Sequence, residues 1–151
     1  MKRILIPVVI MLLLTPLLYA QNMQQLQFIH QLADKQEATF NDAVTFMTIA
    51  IGLEPKDFST NLQILKNRNI ARGMSYNAVD PIRRGALSLM IARYLDLSDS
   101  LLYLIFGTER YAFRACVADG IMSNEGSEWD RLSGGELIEI MNIAIERAGG
   151  R

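Results

Sequence analysis

The chain has 151 residues, 50% of them hydrophobic and 21% charged, with 15 basic and 16 acidic side chains and a net charge of −1. That balance excludes the basic face a nucleic-acid binder carries and gives no polybasic patch for a membrane surface. The single cysteine, Cys116, excludes an internal disulfide, so stability must come from packing.

Lys2 and Arg3 precede Ile4 to Leu18, an almost unbroken apolar run. Tyr19 and Ala20 then lead into the polar stretch Gln21, Asn22, Gln24, Gln25, Gln27. A basic start, an apolar stretch and a small residue at the cut are the layout of a secretory signal peptide. The run is shorter than the ~20 residues of a spanning helix, and no Cys follows it to carry a lipid. Cleavage is expected after Ala20, with an uncleaved anchor as the alternative and the only route to the membrane. Removal of residues 1–20 leaves 131, enough for one domain with a core. The expected location is periplasmic or secreted.

Beyond the signal the spacing predicts helices and turns, with few strand signals. Met23, Leu26, Ile29 and Ala33 recur at helical spacing in a Gln-rich first helix. Thr39 opens a second, with Phe40, Val44, Met47 and Ile51, ended by Gly52 and Pro55. A third covers about Phe58 to Asn69. Asp80-Pro81 reads as a cap and first-turn pair for a fourth, whose apolar stripe is Leu87, Met90, Ile91, Tyr94 and Leu95. Ser98 starts a short, very apolar piece, Leu101 to Phe106, closed by Gly107. It reads as the central core helix or as part of a subunit interface, which leaves a homo-oligomer open. Thr108 opens a helix to Asp119, stopped by Gly120. Cys116 lies on its apolar side with Phe113 and reads as a buried small hydrophobe, the alternative being a reactive or intermolecularly paired thiol. Ser133-Gly134-Gly135-Glu136 is a capping box for the last helix, with Leu137, Ile140, Met141 and Ala144 on its core face.

Two stretches resemble one another. Leu65 to Ile70 matches Cys116 to Ile121 at an offset of 51, and Asp80 to Leu87 matches Asp130 to Leu137 at an offset of 50. A partial third copy aligns Asn41-Asp42-Ala43-Val44 with Arg84-Gly85-Ala86-Leu87. Periods of this size point to repeated helix–loop–helix units that share a core.

At these residues the chain resembles the S-layer homology domain family. That family's unit is a helix, a loop opening with a Gly-Ile-like step, an apolar or aromatic residue and Pro, and a Thr-Arg-Ala-Glu-like start to a second helix. Ile70-Ala71-Arg72-Gly73 through Asp80-Pro81-Ile82-Arg83-Arg84 is similar to one such loop. Gly120-Ile121-Met122 through Trp129-Asp130-Arg131-Leu132-Ser133-Gly134-Gly135-Glu136 is similar to another. Arg84 holds the Arg place of one motif, where Ala86 replaces the Glu; Ser133 and Glu136 hold the cap places of the other, where Gly134 replaces the Arg. The resemblance spans about residues 39–147 and implies binding of cell-wall polysaccharide.

No chemistry stands out. His30 is the sole histidine and sits in the Gln-rich helix, so a catalytic triad or a His/Cys metal site lacks partners. An EF-hand starting at Asp130 fails at Leu132 and Met141, and Ser133-Gly134-Gly135 lacks the Lys of a phosphate loop. Glu125, Glu128 and Asp130 beside Trp129 are the one carboxylate cluster. Trp129 reads as a plug of a helix pair or as a contact that stacks on a ligand. Arg83, Arg84 and Arg93 read as a solvated face pairing with Asp80, Asp96 or Asp99, or as a surface for an acidic partner. The expected fold is all-α, two to three helix–loop–helix units sharing one core, organised as signal peptide 1–20, Gln-rich helix 21–38 and repeat domain 39–151. The expected function is a non-enzymatic interaction or scaffolding module of the bacterial cell envelope, without cofactor or metal, binding a protein partner or wall polysaccharide through Arg83, Arg84, Trp129, Asp130 and Glu136. The alternative is a small envelope glycan hydrolase using the loop carboxylates.

Overall fold

The structure, a computed structural model, describes residues 23–97 and 101–150. The signal-peptide segment, Ser98 and Asp99 therefore lie outside the described residues. The chain divides into two units, Met1–Gln31 and Leu32–Arg151. Of the first, residues 23–31 are described and are helical. The second holds α1 (Phe40–Ala50), α2 (Phe58–Asn67), α3 (Arg84–Tyr94), α4 (Leu101–Phe106), α5 (Glu109–Ala118) and α6 (Gly134–Gly149). Among the described residues there is no strand beyond two isolated bridges, Thr39 with Pro81 and Arg83 with Arg131. The fold is all-α. No described helix is long and apolar enough to cross a membrane.

Two helix starts are capping boxes, in which a hydroxyl and a carboxylate each satisfy a free backbone N–H. Ser133 and Glu136 make one, as expected; Thr39 and Asp42 make the other. The α3 start differs from expectation. The helix begins at Arg84 with Arg83 as its N-cap, and no side chain caps it. Asp80 instead closes a turn by accepting the Asn77 N–H at 2.7 Å, and Pro81 lies in the bridge to Thr39. Residues 81–83 are extended because they pair with neighbouring chain segments, which outweighs the local Asp-Pro signal.

The residues just before the three caps form a closed ring of backbone hydrogen bonds. The Ala38 N–H donates to Leu132 O at 2.8 Å, the Leu132 N–H to Ile82 O at 3.1 Å, and the Ile82 N–H to Ala38 O at 2.9 Å. All three side chains are buried. The first N–H of each helix is then taken by the next segment round the ring: Phe40 by Asp80 O, Arg84 by Asp130 O, and Gly134 by Lys35 O. These donors would otherwise be orphans of a helix start. Phe40, Arg84 and Gly134 are each the first residue of their helix. Asn41, aligned with Arg84 on sequence, is the second residue of α1, whereas Arg84 is the first of α3. Ala38 and Leu32 (1% exposed) belong to this compact unit.

The helix ends repeat as well. Ile70 and Ala71 both donate to Leu65 O, and Ile121 and Met122 both donate to Cys116 O. Asn69 (φ 62°) and Gly120 (φ 71°) supply the left-handed residue that this ending needs.

The buried centre is α3. Gly85 through Ala92 are all buried, the signature of a helix surrounded on every side. α3 packs chiefly on α5, and α1 packs on α2 and α6. Where α4 is described, its end departs from the central-helix expectation for 101–106: Ile105 is 69% and Phe106 55% exposed. The Phe106 ring stacks on Tyr111 at 5.0 Å. Cys116 is buried, as expected, and burial pushes its thiol up to about 12.

Candidate functional site

Four of the five residues expected at a site fall into two groups around the start of α3, and Asp130 stands apart from both. Arg84 lies against the start of α6. Its Nη1 donates to Glu125 O at 2.8 Å and its Nη2 to Glu136 Oε1 at 3.0 Å. The other Glu136 oxygen accepts from Ser133 N and Oγ, both at 2.9 Å. The Ser133 N–H, helped by the Ser133 hydroxyl and Arg84, holds the Glu136 carboxyl below its ordinary range. Arg84 and Glu136 flank a cleft of about 250 Å³ whose other walls include Ile121, Met122, Ile140 and Ile143.

Arg83 and Trp129 form the second group. The Arg83 guanidinium lies 5.5 Å from the centre of the indole ring, within reach of a cation–π attraction. Trp129 is 64% exposed, so it does not plug a helix pair. The loop it sits in is held from both ends by hydrogen bonds to α3, leaving the ring outside. Asp130 is not part of either group by its side chain. Its Oδ2 accepts the Ser127 N–H at 2.7 Å, and its backbone oxygen accepts from Arg84. The Asp130 turn repeats the Asp80 turn 50 residues earlier.

The arginines do not form the expected face with Asp80 or Asp96. Arg84 pairs with Glu136, and Arg93 donates to Ile70 O at 3.3 Å and Arg72 O at 2.7 Å. Both span to backbone or carboxylate oxygens that only the tertiary fold brings near. The loop carboxylates also separate. Asp130 is committed to its own turn and Glu125 is exposed, while Glu128 points its partly buried side chain toward Arg110 at 3.9 Å.

A second cleft, of about 470 Å³, is lined by Tyr76, Thr108, Glu109, Arg110, Glu128 and Trp129. The Tyr76 hydroxyl donates to Glu109 Oε1 at 2.5 Å. Burial, then the Glu109 carboxylate, push the Tyr76 hydroxyl up to about 12, so it stays a donor at neutral pH. Gly85 lets two of the cleft's lining residues approach the start of α3. A Cβ there would lie 2.9 Å from Glu128 O and 3.1 Å from both Glu109 Cβ and Glu128 Cβ. Sequence reasoning did not find Tyr76, Glu109, Arg110 or Gly85 as site residues. No local pattern joins them, since Tyr76 and Glu109 are 33 positions apart. Among the described residues, no group of three or more His, Cys, Asp or Glu side chains could hold a metal ion.

Comparison with protein-family models, with curated proteins and with solved structures finds no match to this chain.

Proposed function

We propose that the chain is a non-enzymatic interaction module of a bacterial cell envelope, exported by the signal peptide at residues 1–20. In this reading it is built as three helix–loop–helix units about a pseudo-threefold axis, similar to the S-layer homology family. The observation that carries it is the closed ring of Ala38, Ile82 and Leu132, each preceding a helix start. A ring of this kind needs three segments with the same backbone shape, which three copies of one unit supply. The matching turns at Asp80 and Asp130 and the matching helix ends at Leu65 and Cys116 support it.

The binding surface is the Arg83–Trp129 edge, whose ring is solvent-facing. Arg84 and Glu136 act as a tether between units and shape the smaller cleft. Partners are an envelope protein or a wall polysaccharide. The non-enzymatic reading is supported by the engagement of Asp130 with Ser127 and of Glu136 with Ser133 and Arg84, which leaves neither carboxylate poised for proton transfer.

The test is retention of the purified mature protein on isolated envelope material. Wild type is retained, and Trp129→Ala and Arg83→Ala each reduce retention. No retention of wild type overturns the binding reading, and turnover of peptidoglycan by wild type replaces it with the glycan hydrolase. Mass spectrometry of the exported protein checks the signal: a start at Gln21 agrees with cleavage, and an intact Met1 overturns it.

A further inference from the structure

We propose that the cleft between Tyr76 and Trp129 receives a basic side chain, an arginine or a lysine, presented by a partner polypeptide. This deepens the reading of the chain as an interaction module and rests on it.

Glu109 and Glu128 both line the cleft. The missing side chain of Gly85 lets Glu109 and Glu128 close over the start of α3, each with its Cβ 3.1 Å from the place a Gly85 Cβ would take. The Glu128 side chain is only 19% exposed, and Arg110, which pairs with it, stands 3.9 Å away with 62% of its own side chain in solvent. Such a pair gives little. A carboxylate largely withdrawn from water favours a closer cation. Glu109 is fixed in place by the Tyr76 hydroxyl on Oε1, and its Oε2 remains an acceptor. Two carboxylates lining one cleft offer acceptors to the forked donors of a guanidinium or the three donors of an ammonium.

The aromatic wall selects the same chemistry. Trp129 carries the Arg83 guanidinium at 5.5 Å and also lines the cleft, so its ring gives the cleft an aromatic surface suited to a cation. Glu109 and Glu128 stand in the lining against Arg110, whose exposed, flexible stem can swing aside, while Arg83 adjoins the cleft already engaged with Trp129. An anionic ligand would meet both carboxylates. A polypeptide is favoured over a free amine because an exposed Trp ringed by Arg is the composition of a protein-contact centre.

Trp129 is the single tryptophan of the chain, so its fluorescence reports this cleft directly. The mature protein is titrated with acetyl-Gly-Arg-Gly-amide, with acetyl-Gly-Gln-Gly-amide as the neutral control and spermidine as the free-amine control. The expected result is a saturable change with the Arg peptide, about tenfold tighter than the Gln peptide, and weakened by salt. Glu128→Gln, which keeps shape and volume, reduces it about tenfold with an unchanged circular dichroism spectrum. Equal binding of the two peptides, no saturation at millimolar peptide, or undiminished binding by Glu128→Gln overturns the proposal. Spermidine binding as tightly as the Arg peptide overturns the polypeptide as occupant. Envelope retention without peptide binding removes this inference alone, whereas peptide binding without envelope retention removes the envelope reading alone.

Discussion

The stretches 65–87 and 116–137 run the same course through the fold but begin their second helices differently. Both leave a helix through a left-handed residue, Asn69 or Gly120, and both make an aspartate-closed turn, at Asp80 or Asp130. At the next helix they part. The α6 start is self-sufficient, with Ser133 and Glu136 satisfying each other's N–H groups. The α3 start has no side-chain cap. Its first two N–H groups rely on Asp130 O and Glu128 O of the other stretch, and its two arginines reach outward to Trp129 and Glu136. A helix start that gives up its own cap gains side chains that hold a neighbour and shape a surface. The candidate site lies at the uncapped start for that reason.

The largest expected effect comes from the capped side. Gly134 sits so close to the Leu32 carbonyl that a Cβ would overlap it. Backbone on both sides leaves nothing flexible to yield, so Gly134→Ala should cost about 3 kcal/mol in urea unfolding. A loss below about 0.5 kcal/mol would mean that the ring-closing segment is not packed there. The cap contrast comes next. Ser133→Ala should cost about 1 kcal/mol, while Arg83→Thr should add up to about 1 kcal/mol by supplying the missing cap, and weaken ligand retention through loss of the Trp129 contact. Equal and opposite effects on stability and retention sharpen the comparison; destabilisation by Arg83→Thr breaks it.

The two helix ends give a smaller difference. Gly120→Ala places a Cβ at φ 71° and should cost about 1 kcal/mol. Asn69→Gly, at φ 62°, relieves a milder strain and should change stability by less than about 0.5 kcal/mol. The smallest effect is on acid stability. Glu136 has a folded pKa below its unfolded value of about 4.5, so the unfolded chain binds the proton more readily. Its contribution is present above the unfolded value and is lost as pH falls through the lower folded value. With 42% of the side chain exposed, solvent screening keeps the effect small. Glu136→Gln should therefore flatten the stability–pH curve below about pH 4.5 and leave the neutral shape unchanged.

Much of the helical pattern was legible. Thr39, Ser133 and Gly120 mark helix boundaries because a cap or a left-handed residue acts on its own neighbours, within a few positions. The offsets of 50 and 51 correspond to equivalent turns and helix ends for the same reason. Asp80-Pro81 misled because the same dipeptide suits a turn before an extended segment, and only pairing across the chain selects between them. The apolar run 101–106 misled at Ile105 and Phe106 because apolarity states a preference for burial and not which helix has neighbours on every side. Of the candidate site, Arg83 with Trp129 and Arg84 with Glu136 came together, but the cleft needed Tyr76, Glu109 and Gly85, which no spacing connects.

The sequence by itself determined that this chain is helical, where most of its helices start and stop, and that Cys116 is core. Those outcomes follow from interactions between residues a few positions apart. Only the tertiary structure decided that Ala38, Ile82 and Leu132 close a ring, that α3 is the centre, and that Trp129 faces solvent beside Arg83. Those outcomes depend on backbone groups from distant segments finding one another. A hydrogen bond between residues 50 or 94 positions apart leaves no periodic trace along the chain.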